Sequence, residues 1–90
     1  HKGTIENAYT LSDGEYEVIE AEIIETSELI NKEIKNSNLP DELRIGAVLR
    51  NEKIIIPRSN FVFKKDDRVV FIVKKDSISF VENIFRLSSV

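Results

Sequence analysis

Three β-rich runs lie within the stretch Arg44–Lys75, and the residues between them limit how the chain can fold. The runs are Ile45–Leu49, Lys53–Ile56 and Arg68–Val73. Only the polar residues Arg50-Asn51-Glu52 separate the first two, and asparagine tolerates left-handed backbone, so a tight hairpin is predicted there. Pro57 cannot donate a hydrogen bond to a sheet, so the second strand is predicted to end before it.

The third run contains Val69–Val73, which is apolar without alternation, as is typical of a strand covered on both faces. The polar residues Lys64-Lys65-Asp66-Asp67 predict a turn before it. Gly46 lies inside the first run and indicates a β-bulge or a close approach of backbone. Two reasons could explain a glycine at this position: close packing by another element of the fold, or space for a ligand or partner.

The first half of the chain predicts a strand followed by a helix. Glu17–Glu25 alternates in the manner of a half-buried strand. Thr26 or Ser27 suits the cap of the helix, since a short hydroxyl side chain accepts hydrogen bonds from free backbone N–H groups. The apolar stripe of this helix and the polar residues that end it are Leu29, Ile30 and Ile34, then Asn36-Ser37-Asn38.

A final helix is predicted after Asp76-Ser77, because apolar residues recur there at spacings of three and four. Its stripe is Ile78, Val81, Ile84 and Phe85, flanked by Phe80 and Leu87. Asn60–Phe63 fits a short edge strand. The chain is thus predicted to be an α+β domain, with a small, mainly antiparallel β-sheet and two helices.

The 90 residues fit one folded domain with a lead-in. Residues 1–15 are interpreted as a linker from a missing N-terminal domain, with a short strand possible within them. Residues 16–90 are interpreted as the domain itself. The chain does not begin with methionine, so we expect it to be a fragment of a longer protein.

Charge is unevenly distributed along the sequence. Residues 1–43 carry 3 basic and 11 acidic residues, a net charge of −8, and residues 44–90 carry 10 and 5, a net charge of +5. Either the two halves fold onto each other and compensate, or they form two surfaces of opposite sign suited to self-association. The overall acidity argues against nucleic acid as a partner.

The inventory of reactive side chains argues against an enzyme. The chain has one histidine, His1, no cysteine and three glycines. These are too few for a Ser-His-Asp or Cys-His arrangement, a glycine-rich phosphate loop or a zinc site. We therefore predict no catalytic residues.

Two weaker signals suggest binding. Glu20 and Glu22 fall on the same face of the predicted strand and fit either a hard cation such as Ca²⁺ or a solvated, salt-bridged polar face. Arg50 and Arg58 lie at the two ends of the predicted hairpin. Their guanidinium groups suit phosphate recognition, or pairing with the acidic half of the chain.

Taken in order, these features resemble the TrkA-C domain, also called the RCK C-terminal domain. This family is found at the C-terminal end of regulators of prokaryotic potassium uptake and channels. The resemblance runs from Val18 to Val73. Its motifs are Thr26-Ser27, Leu39-Pro40, Ile45-Gly46-Ala47-Val48-Leu49-Arg50, Ile55-Ile56-Pro57 and Asp67-Arg68-Val69-Val70.

Two further points of the resemblance concern the last turn and the lead-in. The family usually has glycine before the aspartate of the last turn, whereas this chain has Asp66 before Asp67. Aspartate tolerates left-handed backbone better than most residues, so we expect the turn to survive. Residues 1–22 resemble the end of the peripheral subunit of Trk-type potassium uptake systems.

The resemblance implies a regulatory ligand-binding and dimerisation module of a cytoplasmic subunit, peripheral to the inner face of the cell membrane, that controls potassium or other cation uptake. It implies NAD(H) or an adenine nucleotide in the missing N-terminal domain, and no cofactor in this fragment. The implied partners are a second copy of the domain, a membrane potassium transporter reached through the full-length subunit, and a nucleotide or cation effector. The alternative is the same accessory domain attached to another ion or anion transporter or to a transcription regulator.

In some relatives, cyclic di-AMP binds across the dimer of C-terminal domains, near the hairpin strands. Carried over by motif, the candidate ligand-binding residues are Ala47, Leu49, Arg50, Ile56 and Pro57. Arg58, the second hairpin arginine, completes the candidate set.

Overall fold

Five antiparallel strands form one sheet, and its central strand is the last one in the sequence. The computed structural model describes residues 5–11 and 13–85. The strands are β1 (Ile5–Thr10), β2 (Tyr16–Glu22), β3 (Leu43–Arg50), β4 (Lys53–Ile55) and β5 (Arg68–Lys74), arranged in the order β1-β2-β5-β3-β4. Among the described residues, one α-helix, α1 (Ile78–Phe85), follows β5 after a 3₁₀ turn at Lys75–Ser77. The predicted α+β class with a small antiparallel sheet is confirmed.

The hairpin between β3 and β4 forms as the sequence predicts. Asn51 and Glu52 have φ angles of 51° and 67°, so both turn residues are left-handed. A two-residue turn of this kind matches the natural twist of paired strands. It places Arg50 opposite Lys53, and β4 ends two residues before Pro57.

Gly46 and Asp66 also adopt the conformations that the sequence predicts. The register of β3 against β5 shifts between Ile45 and Ala47, which makes Gly46 a bulge. A Cβ atom on Gly46 would lie 3.7 Å from the carbonyl oxygen of Val70, which is an ordinary contact. A larger side chain would therefore find space here. Asp66 has a φ of 73°, as expected where the family usually has glycine.

The core lies on one face of the sheet, beneath α1. Val81, Ile84 and Phe85 of the helix are buried, and the Phe85 ring stacks on Phe71 of β5 with centroids 5.2 Å apart. Burying a side chain of this size contributes about 1.5–3 kcal/mol. The predicted stripe of the final helix is therefore confirmed, while Leu87 lies outside the described residues.

The opposite face of the sheet, called the outer face below, is not covered by any element that the structure describes. On β5, Val69, Phe71 and Val73 are buried in the core, but Ile72 on the other side is 42% exposed. The prediction that β5 is covered on both faces is therefore wrong for residues 5–11 and 13–85, which place no second layer on this side. The apolar members of the outer face are Tyr9, Val18, Ala47, Leu49, Ile54, Val70 and Ile72.

The prediction of a helix from Thr26 or Ser27 to Asn36 is wrong. Residues 25–31 form turns instead, and only Ile34–Asn36 is helical, as a 3₁₀ helix. Asn31 has a φ of 67°, which an α-helix does not allow. Ser27 does cap a turn: its buried Oγ accepts the Leu29 N–H at 3.1 Å.

The physical reason for this difference is a backbone partner further along the chain. The N–H groups of Asn31, Ile34 and Lys35 donate to the carbonyls of residues 63, 61 and 59 at 2.9, 3.0 and 2.9 Å. These donors are then unavailable to a helical ladder. The short edge strand predicted at Asn60–Phe63 is correspondingly reduced to one bridge, between Glu33 and Val62.

The short strand suggested in the lead-in is confirmed as β1, which pairs with β2 at the sheet edge, Tyr9 opposite Val18. Residues 1–4 lie outside the described part of the chain. The division between linker and domain after residue 15 stays a prediction.

Candidate functional site

A cavity of about 450 Å³ opens beside the first half of β3. It exists because β4 pairs only with Val48–Arg50, which leaves the earlier edge of β3 to be faced by loops. One wall is the loop that replaces the predicted helix, and another is the stretch that follows Ile56. The lining residues are Ile34, Lys35, Asn38, Leu39, Pro40, Asp41, Leu43, Arg44, Ile45, Pro57, Arg58 and Ser59.

The cavity is electropositive. Lys35, Arg44 and Arg58 contribute three positive charges to its lining, against one negative charge from Asp41. Arg44 is held at the rim because its Nη1 donates to the backbone carbonyls of Asp41 and Leu43 at 2.7 and 2.9 Å. A pocket that combines apolar walls with three cationic side chains suits an anionic ligand such as a phosphate ester.

Arg50 is placed elsewhere. Its Nε and Nη2 donate to the two carboxylate oxygens of Asp67 at 2.8 and 2.7 Å, and Nη2 also donates to the Val62 carbonyl at 2.9 Å. The guanidinium lies 4.7 Å from the centre of the Phe61 ring. The hydrogen bonds to Asp67 raise the pKa of Arg50, although burial opposes the shift. This geometry favours a structural role for Arg50 over phosphate recognition.

The remaining candidates divide between two places. Pro57 and Arg58 line the cavity. Ala47 and Leu49 lie on the outer face, next to β5 and β4. Ile56, just beyond β4, is 74% exposed.

Glu20 and Glu22 are on the same side of β2, as the sequence predicts. Glu20 Oε2 accepts a hydrogen bond from Arg68 Nη1 at 3.3 Å, across to β5. Within the residues that the structure describes, no group of three or more acidic or histidine side chains is arranged to hold a metal ion. The ion pair agrees with the salt-bridged polar face, and the cation site stays a prediction.

Sequence reasoning missed Lys35 and Arg44 as members of the site. Lys35 lines the cavity because its segment forms turns and a short 3₁₀ helix that pair with residues 59–63, and Arg44 lies on β3 beside it. The signal available was Asn31, since asparagine is the residue most often found in left-handed backbone after glycine.

In the described residues, the structure contains no helix of the length and apolarity needed to span a membrane.

The sequence matches the model of the TrkA-C domain family over residues 18–86. The Trk system potassium uptake protein TrkA of Azorhizobium caulinodans is 40% identical over 87 residues, which are 97% of this chain and 19% of that protein. A TrkA homolog of Archaeoglobus fulgidus is 35% identical over 83 residues, which are 92% of this chain and 19% of that protein. The chain thus spans about a fifth of the length of these relatives.

Two solved structures share the fold. The RCK_C domain dimer of S. agalactiae BusR in complex with c-di-AMP has a TM-score of 0.66 and 25% identity, over 77% of this chain and 95% of that one. An RCK domain with cda has a TM-score of 0.63 over 74% of this chain and 94% of that one. Its 16% identity shows the fold alone.

Proposed function

The chain belongs to the TrkA-C domain family, and from this we propose that it is a non-catalytic regulatory module of a subunit that controls potassium uptake. The observation that carries the proposal is the 40% identity to a Trk system potassium uptake protein across 97% of the chain. This match favours the potassium regulator over an accessory domain of another transporter or of a transcription regulator.

The full-length subunit would place this module in the cytoplasm, at the inner face of the membrane, and join it to a potassium transporter. NAD(H) or an adenine nucleotide would bind in a preceding domain. The coding sequence upstream of His1 tests this directly. We expect a glycine-rich βαβ pattern there. A series of membrane spans or a winged helix would support the accessory-domain alternative instead.

The module would act through a second copy of itself. The uncovered outer face supports this, since exposed apolar side chains on a sheet gain free energy when another surface covers them. Ile54 and Ile72 are 71% and 42% exposed there. The dimeric state of the S. agalactiae neighbour agrees with such a partner.

The module would also receive a phosphate-bearing nucleotide. Cyclic di-AMP is the first candidate, because the S. agalactiae neighbour, at 25% identity, was determined in complex with it. The electropositive cavity supports this role, and Pro57 and Arg58 are the candidate residues that line it. Arg50 would support the site indirectly, because its ion pair with Asp67 holds the neighbouring chain in place. It would not contact the nucleotide itself.

A thermal-shift series with cyclic di-AMP, ATP, ADP, NADH, Ca²⁺, Mg²⁺ and K⁺ tests the ligand. A ligand at about a hundred times its Kd stabilises the folded state by about 2.7 kcal/mol. In a domain of this size the melting temperature then rises by roughly ten degrees or more. We expect cyclic di-AMP to give this shift.

Variants identify the surface that binds. Arg58→Ala and Lys35→Ala each remove one cavity cation and are expected to abolish most of the shift. Lys65→Ala is the matched control, because Lys65 is exposed and lies outside the cavity. If no ligand shifts the wild-type melting temperature, the ligand proposal is wrong and dimerisation alone remains.

A further inference from the structure

The first half of β3 has an open edge on the side away from β5. Strand β4 pairs only with residues 48–50 of β3 and ends two residues before Pro57, which cannot donate to a ladder. The chain that follows then pairs with the loop at residues 31–35 instead. Among the described residues, no strand pairs with residues 43–47 on this side. A free edge of this kind is a template for a further strand.

The backbone of this edge has hydrogen-bonding groups to offer. The N–H of Leu43 donates to the carbonyl of Pro40 at 3.1 Å, so the backbone groups of Leu43 face away from β5. Successive residues of a strand direct these groups to alternate sides, so the N–H and carbonyl of Ile45 face the same way as those of Leu43. In the part of the chain that the structure describes, neither group of Ile45 has a partner there. An antiparallel strand can exchange two hydrogen bonds with it.

The cavity of the candidate site lies along this edge, and its size fits a short strand. Leu43, Arg44 and Ile45 of β3 form one wall, and residues 57–59 contribute to another. A strand residue occupies about 160 Å³, given spacings of about 4.8 Å between strands, 10 Å between layers and 3.4 Å along the chain. The cavity of about 450 Å³ therefore holds about three residues of extended chain.

Gly46, next to Ile45, is a glycine that the fold itself does not require. A β-bulge needs glycine where the backbone is left-handed, and Gly46 is not among the residues of positive φ. A Cβ atom there would have one neighbour within 4 Å, the carbonyl oxygen of Val70, so packing does not exclude a side chain. Glycine within a strand also marks places where another backbone approaches closely. Space for a partner is the reason that agrees with this geometry.

The lining indicates the chemistry of such a partner. A residue paired with Ile45 points to the same side of the sheet, where Ile34 and Leu43 offer apolar contact. Its two neighbours point to the opposite side, which is the side of Arg44. The cavity as a whole carries three positive charges against one negative charge. An apolar residue between two acidic residues therefore complements the edge in both shape and charge.

We propose that this edge of β3 binds an extended acidic peptide of another protein by strand addition, with an apolar residue of the peptide opposite Ile45. Backbone hydrogen bonds give such a complex its affinity, and the alternating side chains give it specificity. The inference goes beyond the regulatory function proposed above and does not depend on the nucleotide. Because both ligands use the same cations, we expect the nucleotide to displace the peptide.

Fluorescence anisotropy with a labelled Ser-Glu-Val-Glu-Ser peptide tests the proposal. We expect saturable binding of this peptide and no binding of Ser-Lys-Val-Lys-Ser, whose charges repel the cavity cations. N-methylation of the valine removes the N–H that faces Ile45 and is expected to raise Kd at least tenfold. N-methylation of the second glutamate is the matched control, because its N–H faces away from β3. Equal Kd values for the two methylated peptides would overturn strand addition.

Gly46→Val separates binding from stability. Valine favours strands, so the melting temperature is expected to stay the same or rise. Its side chain takes up the space that the peptide needs, and we expect Kd to rise about tenfold. Lys65→Ala, outside the cavity, is expected to leave Kd unchanged. A stable Gly46→Val chain with wild-type affinity would contradict the role given to the glycine, and the methylated peptides test the wild-type chain independently of this variant.

Two further measurements identify the occupant of the edge. A fall in peptide binding at high chain concentration would show that a second copy covers the edge, and would overturn the proposal. Cyclic di-AMP is expected to raise the apparent Kd of the peptide. Peptide binding that is unaffected by cyclic di-AMP would support strand addition and contradict a nucleotide in this cavity. A nucleotide-induced thermal shift without any peptide binding would overturn strand addition alone.

Discussion

At the scale of single residues, Asp67 joins the loop before β5 to the end of β3. Its side chain is 1% exposed and accepts two hydrogen bonds from Arg50 and one from the backbone N–H of Lys64, at 2.8 Å. A buried carboxylate with this many donors is stable only while they are all in place. The ion pair thereby fixes the stretch between β4 and β5, whose residues 57–59 line the cavity.

Asp67→Asn is expected to lower the free energy of unfolding by roughly 1–3 kcal/mol, because it leaves the Arg50 charge without its carboxylate. This cost is smaller than that of breaking a fully buried pair, because the Arg50 side chain is 30% exposed and its charge is partly screened by solvent. Urea denaturation measures the change. Asp66→Asn is the control, because Asp66 is exposed and asparagine suits its left-handed backbone. Equal stability of the two variants would contradict the role given to the pair.

The pH dependence of this pair has a definite sign. Hydrogen bonding to Asp67 raises the pKa of Arg50 above its ordinary value. A base whose pKa is raised by folding stabilises the folded state fully below its unfolded pKa, and this stabilisation is lost only as the pH passes above the folded pKa. The contribution of Arg50 is therefore constant across neutral and mildly alkaline solution.

Single-residue features were predictable where they depend on local backbone. Asn51 and Asp66 are left-handed as their residue types and positions predict. The role of Arg50 was not predictable, because its partner Asp67 is 17 residues away and either arginine of the hairpin suits an anion equally well.

At the scale of elements, the segment between β2 and β3 decides the shape of the cavity. Its apolar spacing fits a helix, yet its backbone pairs with residues 59–63. Ser27 adds a tie to α1, since its Oγ donates to the Ile84 carbonyl at 2.9 Å. Hydrogen bonds to distant segments thus outweigh a helix of only two turns, which is marginal on its own.

Asn31→Ala distinguishes the two structures of this segment. Alanine favours a helix, so it would stabilise the chain if residues 27–36 were helical. Because Asn31 has a φ of 67°, we expect the Asn31→Ala substitution to destabilise the fold by roughly 1–2 kcal/mol. Thermal melts followed by circular dichroism measure the change. Asn36→Ala is the control, with an expected change below about 0.5 kcal/mol because its backbone is already helical. A stabilised Asn31→Ala would contradict the loop.

The elements predicted correctly are those whose signals are local. The β3–β4 hairpin, β2, β5 and α1 each follow from alternation, turn residues or a helical stripe within one short stretch. The cavity was not predictable as a whole, because its walls come from three separated stretches that include Lys35, Arg44 and Arg58.

At the scale of the whole molecule, the acidic and basic halves are interleaved by the sheet. Strand β2 of the acidic half lies beside β5 of the basic half, where Glu20 meets Arg68. The part of the chain that the structure describes leaves the apolar outer face uncovered. A second copy that covers this face stabilises the folded chain by mass action, so the stability of a dimer depends on protein concentration.

The melting temperature is therefore expected to rise by several degrees when the protein concentration is raised about a hundredfold. Ile72→Lys places a charge in the centre of the outer face and is expected to remove this dependence. Phe80→Lys is the matched control, because Phe80 is 53% exposed on α1, away from that face. Scanning calorimetry at two concentrations gives the result, and a wild-type melting temperature independent of concentration would contradict a dimer.

The strand order also determines when this sheet can form during synthesis. The hairpin β1–β2 and the hairpin β3–β4 each pair locally, but neither touches the other in the sheet, since β5 lies between them. Until Arg68–Lys74 has left the ribosome, each hairpin has an open inner edge, and such edges are prone to pair with other chains. Formation of the complete sheet therefore waits for β5 and depends on contacts distant in sequence, which is a slow route for so small a domain.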